Sequence, residues 1–223
     1  MAAPNRQEWI EMKTAIIGLG NIGKVVAANL VAGGQSVTVA DHGPKKAADF
    51  AKASGGKARA ASVADAIKDA DIIVFAVYFN VIQELLGEHR NKLAGKIVVD
   101  PSNPIAPDGS GGFKKIVPPD QSSGQILAGL LPPGVKFVKA FGSLTAHSLQ
   151  SGARHTPEPY VLFYASDDRD AGNSVADLIK ASGFAPVRIG GANQSIRIEA
   201  FGDLHELGGL GKLVTAKEAA ALV

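Results

Sequence analysis

Cysteine is absent from the 223 residues, which removes disulfides, thiolate metal sites, iron–sulfur clusters and a cysteine nucleophile together. That absence carries no information on compartment. Charge is sparse and balanced: charged residues are 20%, with 23 Lys+Arg against 21 Asp+Glu and a formal net charge of +2. No field of one sign is available to gather polyanions, so neither nucleic acid nor an acidic membrane surface is expected as a partner. Aromatics make up only 6%. No apolar run approaches the ~20 residues that a spanning helix needs. The opening MAAPNRQEWIE lacks the apolar stretch of a secretory signal. The expectation is a soluble, cytoplasmic protein.

What is present is apolar content of 46% and 26 glycines, a composition that supports a packed core and suits helices laid closely against a sheet; disorder is not expected. From Met12 onward short apolar runs alternate with longer segments of helical period, the pattern of parallel strands joined by crossover helices. Strands are expected at Thr14–Ile17, Ser36–Ala40, Asp71–Val77, Lys96–Val99, Val135–Lys139, Pro159–Tyr164 and Ala185–Ile189. Between the first two, Ile22, Val25, Val26, Asn29, Leu30 and Ala32 recur at helical spacing and stop at Gly33-Gly34. The run Ile72-Ile73-Val74-Phe75-Ala76-Val77 is apolar at consecutive positions, so both of its faces are covered, as in a central parallel strand. Residues 1–11 read as an N-terminal extension, either native or a vector scar or alternative start.

The connection 101–134 differs from the others. It carries Pro101, Pro104, Pro107, Pro118, Pro119, Pro132 and Pro133, with Gly109, Gly111 and Gly112 among them, and only Ser122–Leu131 looks helical. An excursion of that length is a functional loop or lid, or a mobile surface connection. After Ile189 two helices are expected, Asn193–Glu206 and Thr215–Leu222, making 191–223 a small helical cap on a domain spanning 12–190. Ile196, Ile198 and Leu204 in the first of them meet either a second subunit or the core.

Gly18-Leu19-Gly20-Asn21-Ile22-Gly23 fits G-x-G-x-x-G, follows an expected strand and opens an expected helix. The first glycine makes the turn, the second lets backbone touch a pyrophosphate, and the third allows close helix–sheet packing. The helix N-terminus then offers free N–H groups to the anion. The fold class is therefore α/β, a Rossmann-type doubly wound, mostly parallel sheet. Eighteen residues after Gly23 stands Asp41, where an acid hydrogen-bonds the adenosine ribose. A carboxylate there favours NAD over NADP. His42, Lys45 and Lys46 follow and are suited to neutralise a 2′-phosphate, so NADP stays open; as ordinary solvated residues at a helix start they would have no such role.

Four stretches together resemble a known family. They are Ile16-Ile17-Gly18-Leu19-Gly20-Asn21-Ile22-Gly23-Lys24, Lys96-Ile97-Val98-Val99-Asp100-Pro101-Ser102-Asn103-Pro104, Val138-Lys139-Ala140-Phe141, and Gly183-Phe184-Ala185-Pro186-Val187-Arg188-Ile189-Gly190. In order and spacing they are similar to the NADP-dependent oxidoreductases of the deazaflavin coenzyme F-420 and to the cytosolic domain of the six-transmembrane ferric reductases. The resemblance implies that Ala76, Val77 and Tyr78 lie beside the cofactor ribose and pyrophosphate. It further implies that Asn103, Pro104, Ala140 and Phe141, then Gly142 and Ser143, flank the nicotinamide and the electron acceptor. Tyr78 and Phe141 have a plainer alternative as core aromatics at the sheet edge. The family suggests a homodimer. This sequence departs from it at Asp41-His42, at Tyr78 and at Gly142-Ser143, which puts cofactor preference and acceptor pocket in question.

Hydride transfer to a flavin-like ring needs stacking and exclusion of water more than it needs an acid or base, and no catalytic triad is expected. Ser143, Thr145 and His147 are close in sequence, but Ser143 or Thr145 reads as a helix cap with His147 at the pocket rim. His205-Glu206 lacks the second histidine of H-E-x-x-H, since Gly209 stands there, and no metal is expected. The long loop places Phe113 as an apolar contact for a bulky acceptor. The expected function is an NAD(P)-dependent oxidoreductase acting on a deazaflavin, flavin or quinone-like small molecule. A non-enzymatic NAD(P) sensor, or a small hydroxyacid or imine reductase, is the alternative.

Overall fold

The computed structural model describes residues 12–223; the N-terminal extension expected at 1–11 lies outside them. The chain runs β1 (Thr14–Ile17), α1 (Asn21–Ala32), β2 (Val37–Ala40), α2 (Pro44–Ala53), β3 (Ala58–Ala60), α3 (Val63–Asp69), β4 (Ile72–Phe75), α4 (Phe79–Glu88) and β5 (Ile97–Asp100). It continues through β6 (Ile105–Pro107), β7 (Phe113–Lys115), α5 (Ser123–Leu130), β8 (Lys136–Lys139), α6 (Ala146–Ser151), β9 (Val161–Tyr164), α7 (Arg169–Ala181), β10 (Ala185–Arg188) and α8 (Ala216–Ala219). The main sheet has the order β3-β2-β1-β4-β5-β8, with every neighbouring pair parallel. Strands β9 and β10 form a second parallel pair. It is joined to the edge of the main sheet by reciprocal Lys139–Ala165 backbone hydrogen bonds of 2.9 and 3.0 Å.

The central strands β1, β4 and β5 are buried along their whole length, so both faces of the sheet are covered there. Ile16, Val74, Val99 and Val138 point into one core with Val26 and Leu30 of α1 and Val175 and Ile179 of α7. Ala15, Ile17, Ile73 and Phe75 point the other way, against Ile67 of α3, Ile82 and Leu86 of α4 and Leu127 of α5. Each such Val, Ile or Leu contributes about 1.5–3 kcal/mol by leaving water. Arg154 links two helices on the first side: its guanidinium donates to the carbonyls of Asn29 (2.7 Å) and Ala181 (2.9 Å), satisfying oxygens at the ends of α1 and α7.

Several expectations change. β3 appears where none was expected, a short edge strand with mostly exposed side chains and therefore no apolar signature. Loop 101–134 contains, besides α5, an antiparallel hairpin of β6 and β7. Asp108 closes its turn by accepting from the N–H groups of Ser110 (2.8 Å) and Gly112 (3.0 Å). The expected helix Asn193–Glu206 is instead a 3-10 stretch, Ala192–Ile198, followed by tight turns. Gly202 nests so closely that a Cβ on it would lie 2.4 Å from the carbonyl oxygens of Ile196 and Arg197, a contact that no continuing helix allows. The last expected helix shrinks to α8, held by a capping box between Thr215 and Glu218. Ile198 and Leu204 are core residues, packed with Val161, Phe163 and Val214 over β9.

Candidate dinucleotide site

The glycine turn lies between β1 and α1, where the strand order reverses direction and a crevice opens at the carboxyl ends of the strands. Its three glycines differ in what holds them. Gly18 has φ +95°, and a Cβ there would fall 2.5 Å from the Ala76 carbonyl oxygen and from Val77 Cγ1. Gly23 lies so close that a Cβ would meet Gly18 O at 2.0 Å. The chain's own packing demands both. A Cβ on Gly20 would meet nothing within 4 Å, so the chain itself makes no demand for the second glycine. Open space before Gly20, which is the N-cap of α1, fits close approach by a pyrophosphate. The cap has no side-chain hydrogen bond and the first turn no acidic residue, leaving its N–H groups and dipole for an anion. Leu19 is buried, Ile22 half-buried and Asn21 exposed.

Asp41 follows β2 directly. Its Oδ2 accepts from Leu19 N–H at 2.8 Å and its Oδ1 from Gly43 N–H at 3.4 Å, so the carboxylate braces the glycine turn. Burial pulls its pKa up, but these N–H groups, with Lys46 and His42, outweigh that and hold it below the usual carboxylate value. His42 Nδ1 lies 2.7 Å from Oδ1 and its ring is otherwise exposed. Lys45 pairs with Asp49 at 2.6 Å along α2. Lys46 instead lines a cleft of about 380 Å³ with Leu19, Lys24, Asp49, Phe50 and Ala53.

On the other half of the crest Ala76 and Val77 are half-buried, and Tyr78, the N-cap of α4, is 79% exposed, so Tyr78 is no core aromatic. Asn103 ties three segments together: its Nδ2 donates to Gly142 O (3.0 Å) and its Oδ1 accepts from Ala200 N–H (2.6 Å). Pro104, the next residue, and Ala140, which follows β8, are both buried. Phe141 has φ +65° and is wholly buried in the core with Leu144 and Leu149, so it shapes the crest from beneath. Gly142 approaches Pro101 so closely that a Cβ would lie 2.6 Å from its carbonyl oxygen. The hydroxyls of Ser102 and Ser143, in the loops after β5 and β8, are buried without a hydrogen-bond partner, a feature that natural structures seldom leave without a use. Thr145 is the cap of α6, accepting from Ser148 N–H at 3.2 Å, and His147 is exposed on that helix. Phe113 sits exposed on the β6–β7 hairpin.

Sequence reasoning missed what underlies the crest. Lys139, 1% exposed, donates to Asp100 Oδ2, Ser102 O and Ser123 Oγ, each at 2.6 Å, and lies 3.3 Å from Glu199 Oε1. Glu199 accepts in turn from the N–H groups of Ser123 (3.1 Å) and Gly124 (3.0 Å) at the start of α5. A lysine and an aspartate closing otherwise apolar strands were the available signal. His205 and Glu206, considered in the sequence only as a fragment of a zinc motif, have a buried setting that the sequence did not indicate. Glu206 accepts from Thr145 N–H (2.7 Å) and Ser148 Oγ (2.5 Å). Burial drives the His205 pKa down to about 4, against the Gly142 carbonyl and Glu206, which favour the charged form.

Sheet order and glycine cradle define a Rossmann-type domain. Residues 13–104 match the family described as "NADP oxidoreductase coenzyme F420-dependent". The chain is similar to the metalloreductase STEAP3 of Rattus norvegicus, 30% identical over 188 residues that make up 84% of this chain and 36% of that protein. It thus spans about a third of the length of this curated relative. Among solved structures, the hypothetical protein SMa0349 of Sinorhizobium meliloti superposes with TM-score 0.80 at 29% identity, covering 92% of this chain and 95% of that one. A protein of Arthrobacter sp. FB24 assigned as an F420-dependent NADP-reductase gives TM-score 0.70 at 25% identity, over 82% of this chain and 87% of that one. Among the described residues no helix is long and apolar enough to cross a membrane.

Proposed function

We propose that this protein passes hydride between a nicotinamide cofactor and a planar small-molecule acceptor, a deazaflavin, flavin or quinone-like ring. The observation that carries the reading is the open space at Gly20, beside two glycines that the chain needs for itself. The cofactor, when bound, supplies the hydride. The Gly18–Gly23 turn and the start of α1 bind its diphosphate, and Ala76, Val77 and Tyr78 border the ribose next to it. The loops joined by Asn103, with Gly142 and Ser143 among them, form the wall that shields the reacting rings from water. No side chain needs to act as acid or base: two electrons and a proton move together, and the acceptor's second proton comes from solvent. A general reductase role agrees with the family match over residues 13–104 and with the likeness to a metalloreductase.

NAD is the proposed nucleotide, because the Asp41 carboxylate, held against Leu19 N–H beside the turn, puts negative charge where a 2′-hydroxyl donates well and a 2′-phosphate meets like charge. Asp41→Ser is expected to shift the ratio of kcat/KM for NADPH over NADH upward by about tenfold. An unchanged ratio would overturn that role. The reaction itself is tested by titrating the protein with NADH and NADPH and following their oxidation with FMN, riboflavin, a deazaflavin and a quinone. Turnover with a ring acceptor supports the proposal, and tight binding with no turnover favours a sensor. A cytoplasmic setting, where reduced pyridine nucleotide is regenerated, and a homodimeric state go with this reading; sedimentation tests the second.

A further inference from the structure

Phe201 is the residue whose geometry folding alone does not explain. Its φ is +73°, in the left-handed region that costs a bulky L side chain backbone strain. Burial does not offset that strain, since Phe201 is 52% exposed. A glycine would serve the turn with less strain.

The segment around it is firmly anchored. On one side Ala200 N–H donates to Asn103 Oδ1 at 2.6 Å, and Glu199 is fixed by Lys139 and the first N–H groups of α5. On the other, Gly202 N–H returns to Glu199 O at 2.8 Å and Leu204 N–H to Arg197 O at 2.8 Å. Leu204 itself is buried. Through Asn103 this turn belongs to the wall after β5 and β8, on the far side of the sheet from Asp41 and β2. Strain, exposure and rigid anchoring at a cofactor crest together mark a side chain kept for a ligand.

We propose that the ring of Phe201 is the stacking surface for the planar electron acceptor. The inference rests on the hydride-transfer reading above and adds the residue that recognises the acceptor. An aromatic face selects for a flat π-system and tolerates variation at its edges, which suits a tricyclic flavin or deazaflavin.

The test compares wild type, Phe201→Gly and Phe201→Trp. Riboflavin binding is read as quenching of its fluorescence by protein loaded with oxidised nicotinamide cofactor, and KM and kcat for riboflavin are measured with the reduced form. In F201G the melting temperature should stay level or rise, and nucleotide affinity should stay within about twofold. The riboflavin Kd and KM should rise about tenfold, the order expected for one lost aromatic stack, and F201W should restore both. An unchanged riboflavin Kd in F201G, absence of quenching in wild type, or a melting temperature that falls along with binding would overturn the role of Phe201. Quenching without turnover in wild type would instead sink the hydride-transfer reading and leave Phe201 as a ring-binding residue.

Discussion

His205 is kept neutral by burial next to a carboxylate, and the consequence is a pH dependence of stability with a definite sign. Its pKa falls from the ordinary 6.5 to about 4 on folding, so between those values the unfolded chain binds a proton that the folded chain refuses. Stability is fully present above pH 6.5 and is lost as pH falls toward 4, by about 3 kcal/mol in all. Thermal melts from pH 7.5 to 4 should show this fall, and His205→Gln should flatten it; an equal slope in the variant would contradict the assignment. At this scale the glycine turn and Asp41 were legible because their signal is spacing within one βαβ unit. Lys139, Glu199 and His205 were not, because their partners come from distant parts of the chain. Only the fold reveals that Glu199 meets Ser123, a separation of 76 residues.

Helix α5 depends on a residue outside itself. Its first N–H groups are satisfied by Glu199, whose charge is balanced by Lys139 between two carboxylates. Removing the lysine leaves Asp100 and Glu199 buried without a cation, so Lys139→Met should destabilise by about 3–5 kcal/mol. Adding Glu199→Gln should recover part of that loss, because it removes one uncompensated charge. Urea melts of the single and double variants check this, and additive losses would contradict a coupled network. Among elements, the β1–α1–β2 unit was readable from periodicity and β4 from its unbroken apolar run. The β6–β7 hairpin was not, because three-residue strands carry no period. The segment after Ile189 misled for a related reason. Ile196, Ile198 and Leu204 are apolar residues that a helix could bury, yet Gly202 and close backbone contacts wind the chain into turns instead.

Across the whole molecule, one sheet order sets out the site: the glycine turn and Asp41 at one end of the crest, the Asn103 wall and Phe201 at the other, and a buried ionic knot beneath the wall. The central claim is that the space before Gly20 is reserved for a diphosphate. Gly20→Ala tests it most directly, by calorimetric titration with NADH and NADPH beside a thermal melt. Because the new Cβ meets nothing within 4 Å of the chain itself, the melting temperature should change by no more than a degree or two, while nucleotide affinity falls at least about tenfold. Wild-type protein that binds neither nucleotide, or a variant that binds as tightly as wild type, would contradict the account.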